Sequence, residues 1–336
     1  MNKIKNNIPR IGITIGDING IGPEVILKSL AHSKILDYVT PVIYGSTKTL
    51  SYYRKNFKLD DLQYIRVKDE EFIPKKINVV NCWEEVIEIT VGQPTPEAAR
   101  ASRLSLMKAV EDLRNDKIDA LVTGPINKHN IQSEDFNFPG HTEYLTKEFE
   151  SKDSLMLLIN GDLRIGVVTG HIPVSEISKN ITTKKVRSKI DILESSLRKD
   201  FGINKPRIAV LGLNPHSSDK GLIGKEEEEI LIPLIESLKN EGKLIFGPFP
   251  ADGFFGDGKF RQYDGILAMY HDQGLIPFKT LAFETGVNFT AGLSIIRTSP
   301  DHGTAYSIAG TNVATESSMR EAIFLAKDIW KNRIND

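Results

Sequence analysis

Ile11-Gly-Ile-Thr-Ile15 runs into Gly16-Asp-Ile-Asn-Gly20-Ile-Gly22-Pro23-Glu24, and Val25, Ile26, Leu27 and Leu30 follow at helical spacing. A short apolar run, a glycine turn and a helix opened by proline make one strand–loop–helix unit. The same alternation continues along the chain. Residues 41–44 and 77–80 read as short strands, and Thr95-Pro-Glu-Ala-Ala opens a long helix with Thr95 as N-cap and Pro96 in the first turn. Residues 119–123 return as a strand into Gly124-Pro125, and the runs 155–159 and 164–169, joined by Asn160-Gly161, predict a hairpin. Helices over 183–201 and 225–240 flank a strand over 207–213, with further strands over 266–270 and 292–296 and a final amphipathic helix over 316–332. The acidic run 226–229 reads as the solvated first turn of its helix, where carboxylates suit the macrodipole. Alternation of this kind predicts an α/β fold with a largely parallel sheet.

The 336 residues, 40% hydrophobic and 26% charged, suffice for two domains or one large α/β unit with a sizeable core. Lys+Arg 43 against Asp+Glu 44 leaves a formal charge of −1, which makes no electrostatic case for nucleic acid or an anionic membrane as partner. The single cysteine, Cys82, excludes an intramolecular disulfide framework and a cysteine-rich zinc site. MNKIKNNIPR at the start carries charge with no apolar signal segment behind it, and no apolar run approaches the ~18–20 residues of a membrane span. The expectation is a soluble, cytoplasmic protein of enzyme size. No linker is visible, so two domains are expected to share strands rather than follow in series.

Polar and glycine-rich residues concentrate where strands end: Thr123-Gly-Pro125, Thr169-Gly-His171, Asn214-Pro-His216, Tyr270-His-Asp272 and the stretch 297–302. Ligands of open α/β sheets bind outside the carboxyl ends of strands. His171, His216 and His271 each follow a strand, bracketed by Gly170 and Pro173, by Pro215, and by Asp272 and Gly274. Three neutral imidazoles suit a zinc-like ion with open positions for substrate; equally, each could cap its own strand end. Asp272 is placed to orient His271 or to cap a turn. Gly20-x-Gly22 begins like a dinucleotide fingerprint, but Val25 stands where the third glycine belongs and Pro23 removes a donor, so that reading is rejected. The loop is still expected to approach a ligand or another backbone closely. Lys279, Asn288 and Arg297 supply two cations and an amide that would grip a phosphate or carboxylate, unless they are ordinary surface groups. The small-residue stretch 303–310 admits a flat ligand or a tight connection.

Read together, GDINGIGPE (16–24), LVTGPINK (121–128), FPGHTEYL (138–145), GLNPHSSD (212–219), ADGFF (251–255), LAMYHDQGLIPFK (267–279) and IRTSPDHGTAYSIAG (296–310) closely resemble the 4-hydroxythreonine-4-phosphate dehydrogenase (PdxA) family of pyridoxal 5′-phosphate biosynthesis. The blocks span nearly the whole chain in the family's order. The resemblance implies an isocitrate/isopropylmalate-dehydrogenase-like α/β/α fold of two domains with the active-site cleft between them. It implies a cofactor-side domain over 1–135 and 290–336, a metal and dimerisation domain over 136–289, and a homodimer with the active site at the subunit interface. The implied reaction is NAD- or NADP-dependent oxidation of 4-phosphooxy-L-threonine to 2-amino-3-oxo-4-phosphobutanoate, which decarboxylates to 3-amino-2-oxopropyl phosphate. One divalent ion per subunit (zinc, magnesium, manganese or cobalt) is implied as well.

The family's metal histidines match His171, His216 and His271, and its substrate residues match His141, Thr142, Lys279, Asn288 and Arg297. Asp301, Gly303, Thr304, Ala305 and Gly310 match the adenosine-side cofactor loop of the wider superfamily. Lys279 is the expected proton acceptor or relay, with Asp252 as the second candidate. His171 is expected from one subunit, and His216 and His271 from the other. The first block usually reads GDPAGIGPE, so Ile18 and Asn19 here replace a Pro-Ala pair. Paralogues oxidise threonate or erythronate phosphates. A metallohydrolase, in which three histidines activate water, and a non-catalytic phosphometabolite-binding protein are the readings from other classes.

Overall fold

The computed structural model describes residues 8–68, 71–133 and 136–335; the first seven residues, read above for a signal segment, lie outside them. Two compact units are present, Met1–Phe149 with Ile295–Lys331 and Glu150–Ser294 with Asn332–Asp336. The sequence places the breaks at 135 and 290 instead. The difference at the first break is the helix His141–Glu148, which belongs to the first unit: Tyr144 packs on Phe136 with ring centroids 5.1 Å apart, and Glu148 pairs with Arg114. Among the described residues, no helix is long and apolar enough to cross a membrane.

Along the chain the strands are β1 (Arg10–Thr14), β2 (Thr40–Gly45), β3 (Ile65–Arg66), β4 (Asn78–Asn81), β5 (Ala120–Thr123), β6 (Leu155–Asn160), β7 (Leu163–Thr169), β8 (Ile208–Leu211), β9 (Ile245–Phe249), β10 (Gly265–Tyr270), β11 (Val287–Ala291) and β12 (Arg297–Pro300). In the first unit they lie in the order β3-β4-β2-β1-β5-β12, every pair parallel. Strands β2 and β5 are buried throughout, as parallel strands with both faces covered must be. The helix Pro96–Arg114 begins as its sequence predicts, with the Thr95 hydroxyl accepting from the Ala98 amide at 3.2 Å. Its buried face combines small residues, Ala98, Ala101, Ser105 and Ala109, with Leu106, Val110 and Leu113. Ser105 Oγ donates to Tyr44 O at 2.7 Å and accepts from Ile15 N at 3.1 Å, so one hydroxyl satisfies two backbone groups where the ladder stops.

In the second unit the order is β11-β6-β7-β10-β8-β9. Strand β6 is antiparallel to both neighbours and the rest are parallel, so the hairpin at Asn160-Gly161 forms as predicted. Helices cover both faces. A Cβ on Gly265 would strike Leu193 and Leu197 of the helix Thr183–Lys199. On the opposite face Ile266 and Ala268 join Leu275 and Phe278 of the helix His271–Ala282 in one buried cluster. This is the α/β/α layering that the resemblance implies.

Two predicted elements differ. Residues 292–296 are not a strand: β11 ends at Ala291, Gly292 turns with φ +89°, and Arg297 opens β12, inside a buried strand rather than beyond its end. The helix expected over 225–240 is split into a π-helical turn, Glu227–Leu231, and a helix, Ile232–Asn240. Glu227, expected in solvent, is 0% exposed.

The loop after β1 makes the close approach expected of it, to backbone. A Cβ on Gly20 would lie 2.7 Å from Thr304 O, and Ile21 N donates to that same oxygen at 2.9 Å. The two departures from the family block have partners. Ile18 is buried and its carbonyl accepts from the Tyr53 hydroxyl. Asn19 donates to Gln93 O at 2.9 Å and Thr95 Oγ1 at 3.2 Å, and accepts from Thr90 N at 3.0 Å. Asn19→Ala, which restores the family's usual residue, is therefore expected to destabilise this chain by about 1–3 kcal/mol through loss of the three hydrogen bonds of a buried side-chain amide. Urea unfolding checks this; an unchanged midpoint would show that the three bonds contribute nothing net.

Candidate active site

Parallel register sets Arg297 of β12 beside Leu121 of β5, two residues before Thr123. The Arg297 side chain, in a residue only 4% exposed, donates through Nε and Nη2 to Thr123 Oγ1 at 3.1 and 2.7 Å. Its Nη2 also stands 3.4 Å from His141 Nδ1. A guanidinium only donates, so the imidazole nitrogen facing it is the acceptor and the ring proton sits on Nε2. That Nε2 is buried and has no hydrogen-bond partner among the described residues. Burial, then the charges of Arg297 and Lys128, push the His141 pKa well below 6.5, so the ring stays neutral. Burial also lowers Arg297, to about 10, against the opposing pull of Glu143, and it remains a cation at neutral pH. A buried cation and a buried N–H at the first residue of a helix suit an anionic oxygen. Thr142 follows in the same helix, half-buried, its carbonyl accepting from Thr146 Oγ1 at 2.7 Å.

Strands β7 and β10 are parallel with Tyr270 beside Thr169, which brings the residues after them together. The rings of His171 and His271 lie 5.3 Å apart, tilted by 46°. His271 Nδ1 is 2.7 Å from Asp272 Oδ1. The carboxylate accepts, so Nδ1 carries the proton and the Nε2 lone pair is left for a ligand. Two adjacent imidazoles, one with its tautomer fixed in this way, fit a borderline divalent ion. Among the described residues, no three His, Cys, Asp or Glu gather into a ligand set, so His216 does not join the pair within the chain. Register holds the His171 and His271 rings side by side within one chain.

His216 occupies an unusual turn. His216, Ser217, Ser218, Asp219 and Lys220 have φ of 54°, 51°, 70°, 46° and 59°, a left-handed run without a glycine until Gly221. Each such residue costs roughly 1–2 kcal/mol, so the surroundings must impose the conformation.

Asn288 stands opposite Leu158 in register, and cross-strand partners share a face, so it faces the helix that carries Lys279. Its Oδ1 is buried without a partner among the described residues. Lys279 is half-buried, eight residues beyond His271; Asp252 is exposed in the first turn of the helix Ala251–Gly256. In the loop after β12, Asp301 N donates to Ser318 Oγ at 3.2 Å and Ala305 is left-handed. Gly310, with φ +74°, sits against Val91. Tyr306 donates to Asp17 Oδ2 at 2.6 Å, a carboxyl whose pKa is raised by burial. Thr304 packs on Gly20, whereas a Cβ on Gly303 would meet open space, so one side of this loop is packed and the other is open. Sequence reasoning missed Thr123 as the Arg297 partner, although its place at a strand end was a signal. It also missed Glu227, for which the acidic run pointed the other way.

Polar and titratable residues gathered where parallel strands end are the arrangement in which α/β enzymes bind their ligands. A family model described as pyridoxal phosphate biosynthetic protein PdxA matches residues 37–326. The 4-hydroxythreonine-4-phosphate dehydrogenase of Bacteroides thetaiotaomicron is 49% identical over 98% of this chain and 91% of its own length. A D-threonate 4-phosphate dehydrogenase of Cupriavidus necator is 38% identical over 94% of this chain and 96% of its own length. A crystal structure of the 4-hydroxythreonine-4-phosphate dehydrogenase of Klebsiella pneumoniae superposes with a TM-score of 0.82 at 34% identity, covering 97% of this chain and 99% of that one. The chain belongs to the PdxA family of pyridoxal phosphate biosynthetic proteins.

The neutral His141 has a signature in stability. Its native pKa lies below 6.5, the ordinary value that the unfolded chain retains. As pH falls below 6.5 the unfolded chain takes up a proton that the native state refuses, so stability falls with it. His141→Gln should shrink the drop in unfolding free energy between about pH 7.5 and about pH 5. Equal drops in the two proteins would show that the ring titrates freely in the native state.

Proposed function

We propose that this chain oxidises the secondary alcohol of 4-phosphooxy-L-threonine with NAD or NADP. The product, 2-amino-3-oxo-4-phosphobutanoate, is a β-keto acid that loses carbon dioxide to give 3-amino-2-oxopropyl phosphate. The observation that carries the reading is the pair of buried donors, the Arg297 guanidinium and His141 Nε2–H, which call for an anionic oxygen. The 49% identity to a relative named for this activity supports it.

In this reading Arg297, His141 and Thr142, with Asn288, hold the phosphate and carboxylate ends of the substrate. Lys279 takes the hydroxyl proton or relays it, with Asp252 as the second candidate. His171 and His271 would hold a divalent ion, zinc, cobalt, manganese or magnesium, and His216 would complete the set; imidazole ligands favour zinc or cobalt. A bound divalent ion would supply Lewis acidity at the substrate's hydroxyl oxygen, and a bound nicotinamide would supply the hydride acceptor. The loop with Asp301, Gly303, Thr304, Ala305 and Gly310 would hold the adenosine side of the cofactor, where the open side of Gly303 leaves room.

The enzyme is proposed to work in the cytoplasm as a homodimer with the active site at the subunit interface. Val174, Leu222, Ile276 and Phe283, at 83%, 80%, 65% and 78% exposure, are apolar and follow the three histidines closely in the chain. Exposed apolar side chains so near the proposed metal residues in the chain are what a covering second copy would bury, and this supports the dimer reading. The relative named for D-threonate 4-phosphate supports a second reading, in which the substrate lacks the amino group.

Mixing protein, NAD or NADP and each of the threonine, threonate and erythronate phosphates should give reduced-nicotinamide absorbance fastest with the threonine derivative. Release of phosphate with no such absorbance would mean a hydrolase, and neither signal a binding protein. Arg297→Lys keeps the charge but not the planar fork, and should weaken the phosphorylated substrate by ~1–3 kcal/mol while leaving NAD affinity unchanged. An equal loss for NAD would put Arg297 in the wrong subsite.

Chelation should abolish turnover and a divalent ion restore it; full activity in protein shown metal-free by elemental analysis would sink the metal assignment. The neighbouring rings support a site that takes His171 and His271 from the same subunit, in which case refolding His171→Ala together with His271→Ala should stay inactive, whereas recovery of activity would divide them between subunits. Refolding His216→Ala with His271→Ala should recover about a quarter of wild-type activity if the partner supplies His216.

A further inference from the structure

Glu227 has a carboxylate with more partners than a helix surface would need. Its Oε1 accepts from Leu213 N at 2.7 Å and Asn214 N at 2.8 Å, and its Oε2 accepts from Asn214 Nδ2 at 2.8 Å. It is the first residue of the π-helical turn Glu227–Leu231. Two glycines are fitted to the arrangement. A Cβ on Gly212 would lie 3.1 Å from Glu227 Oε1 and 2.7 Å from Ser217 Oγ, and one on Gly224 would strike the Asn214 amide at 2.4 Å. Gln273 donates to Gly212 O at 2.6 Å and accepts from Met269 N at 2.7 Å, so the start of the turn is also tied to the helix that begins with His271.

Downstream of these anchors the chain enters the left-handed run 216–220. We infer that Glu227 is a positioning residue, which holds the amides of Leu213 and Asn214 and thereby fixes the left-handed turn that presents His216 to a metal ion. The inference rests on the reading of His216 as a metal ligand. Without the carboxylate, two backbone donors lose their acceptor and the turn is released toward ordinary right-handed backbone, which carries His216 with it.

The test titrates metal-stripped full-length protein with Co2+ by calorimetry and follows deuterium exchange at Leu213 and Asn214 before metal is added. Glu227→Ala should weaken Co2+ binding about 10–100-fold, the range for groups that orient a ligand, and speed exchange at both amides. Glu227→Asp, too short to reach, should do the same, and it carries the test if the alanine variant does not fold. Glu227→Gln keeps an oxygen for both amides but turns its NH2 toward the Asn214 side-chain amide, so it should fall between wild type and Glu227→Ala. His216→Ala sets the scale. If it loses Co2+ affinity while Glu227→Ala and Glu227→Asp bind like wild type, the positioning role is overturned and the metal reading stands. Wild-type affinity in His216→Ala overturns the metal reading and this inference with it.

Discussion

Parallel pairing is the constraint from which the chemistry of this chain follows. A strand that returns through a helix arrives in the direction of its predecessor, so neighbouring strands deliver their carboxyl ends to the same edge. Thr14 stands beside Tyr44 and Thr123 in the first unit, and Tyr270 beside Thr169 in the second. Residues distant in sequence become neighbours by register alone. His171 and His271 meet because each is placed just beyond its paired strand, and Arg297 reaches Thr123 because β12 lies along β5.

What these edges carry is held by desolvation and by imposed conformation. Around Arg297, burial strengthens every electrostatic interaction and makes an unmatched donor expensive; it keeps His141 neutral and leaves its Nε2 without a partner among the described residues. Around His216 the backbone is driven into a region that side chains avoid, and the surrounding hydrogen bonds must outweigh that cost. The first device selects for charge and the second for position.

Much of this was legible in the sequence, for identifiable reasons. Strands buried on both faces leave apolar runs, Asn160-Gly161 marks a hairpin, and Thr95-Pro96 marks a helix start; all three are local signals and all three are present in the fold. The run 292–296 misleads because apolar character reports burial and not extension, and the positive φ of Gly292 ends the ladder there. The unit boundary at 149 depends on where Tyr144 packs, which no local signal carries. Glu227 sits in a run of four glutamates that resembles any solvated turn, and only the position of two amides thirteen and fourteen residues earlier sets it apart. The strand-end residues could be listed from the sequence; the partners that orient them could not.

The turn at 216–220 has a consequence for chirality. L-amino acids disfavour this backbone hand because of where their Cβ lies, and the mirror-image residue carries no such penalty. At Asp219 and Lys220, two positions in that run, a D-amino acid introduced by semisynthesis would adopt the native backbone at rest. There, the handedness of natural amino acids works against the fold, and the native conformation is one that the enantiomeric residue would choose unaided.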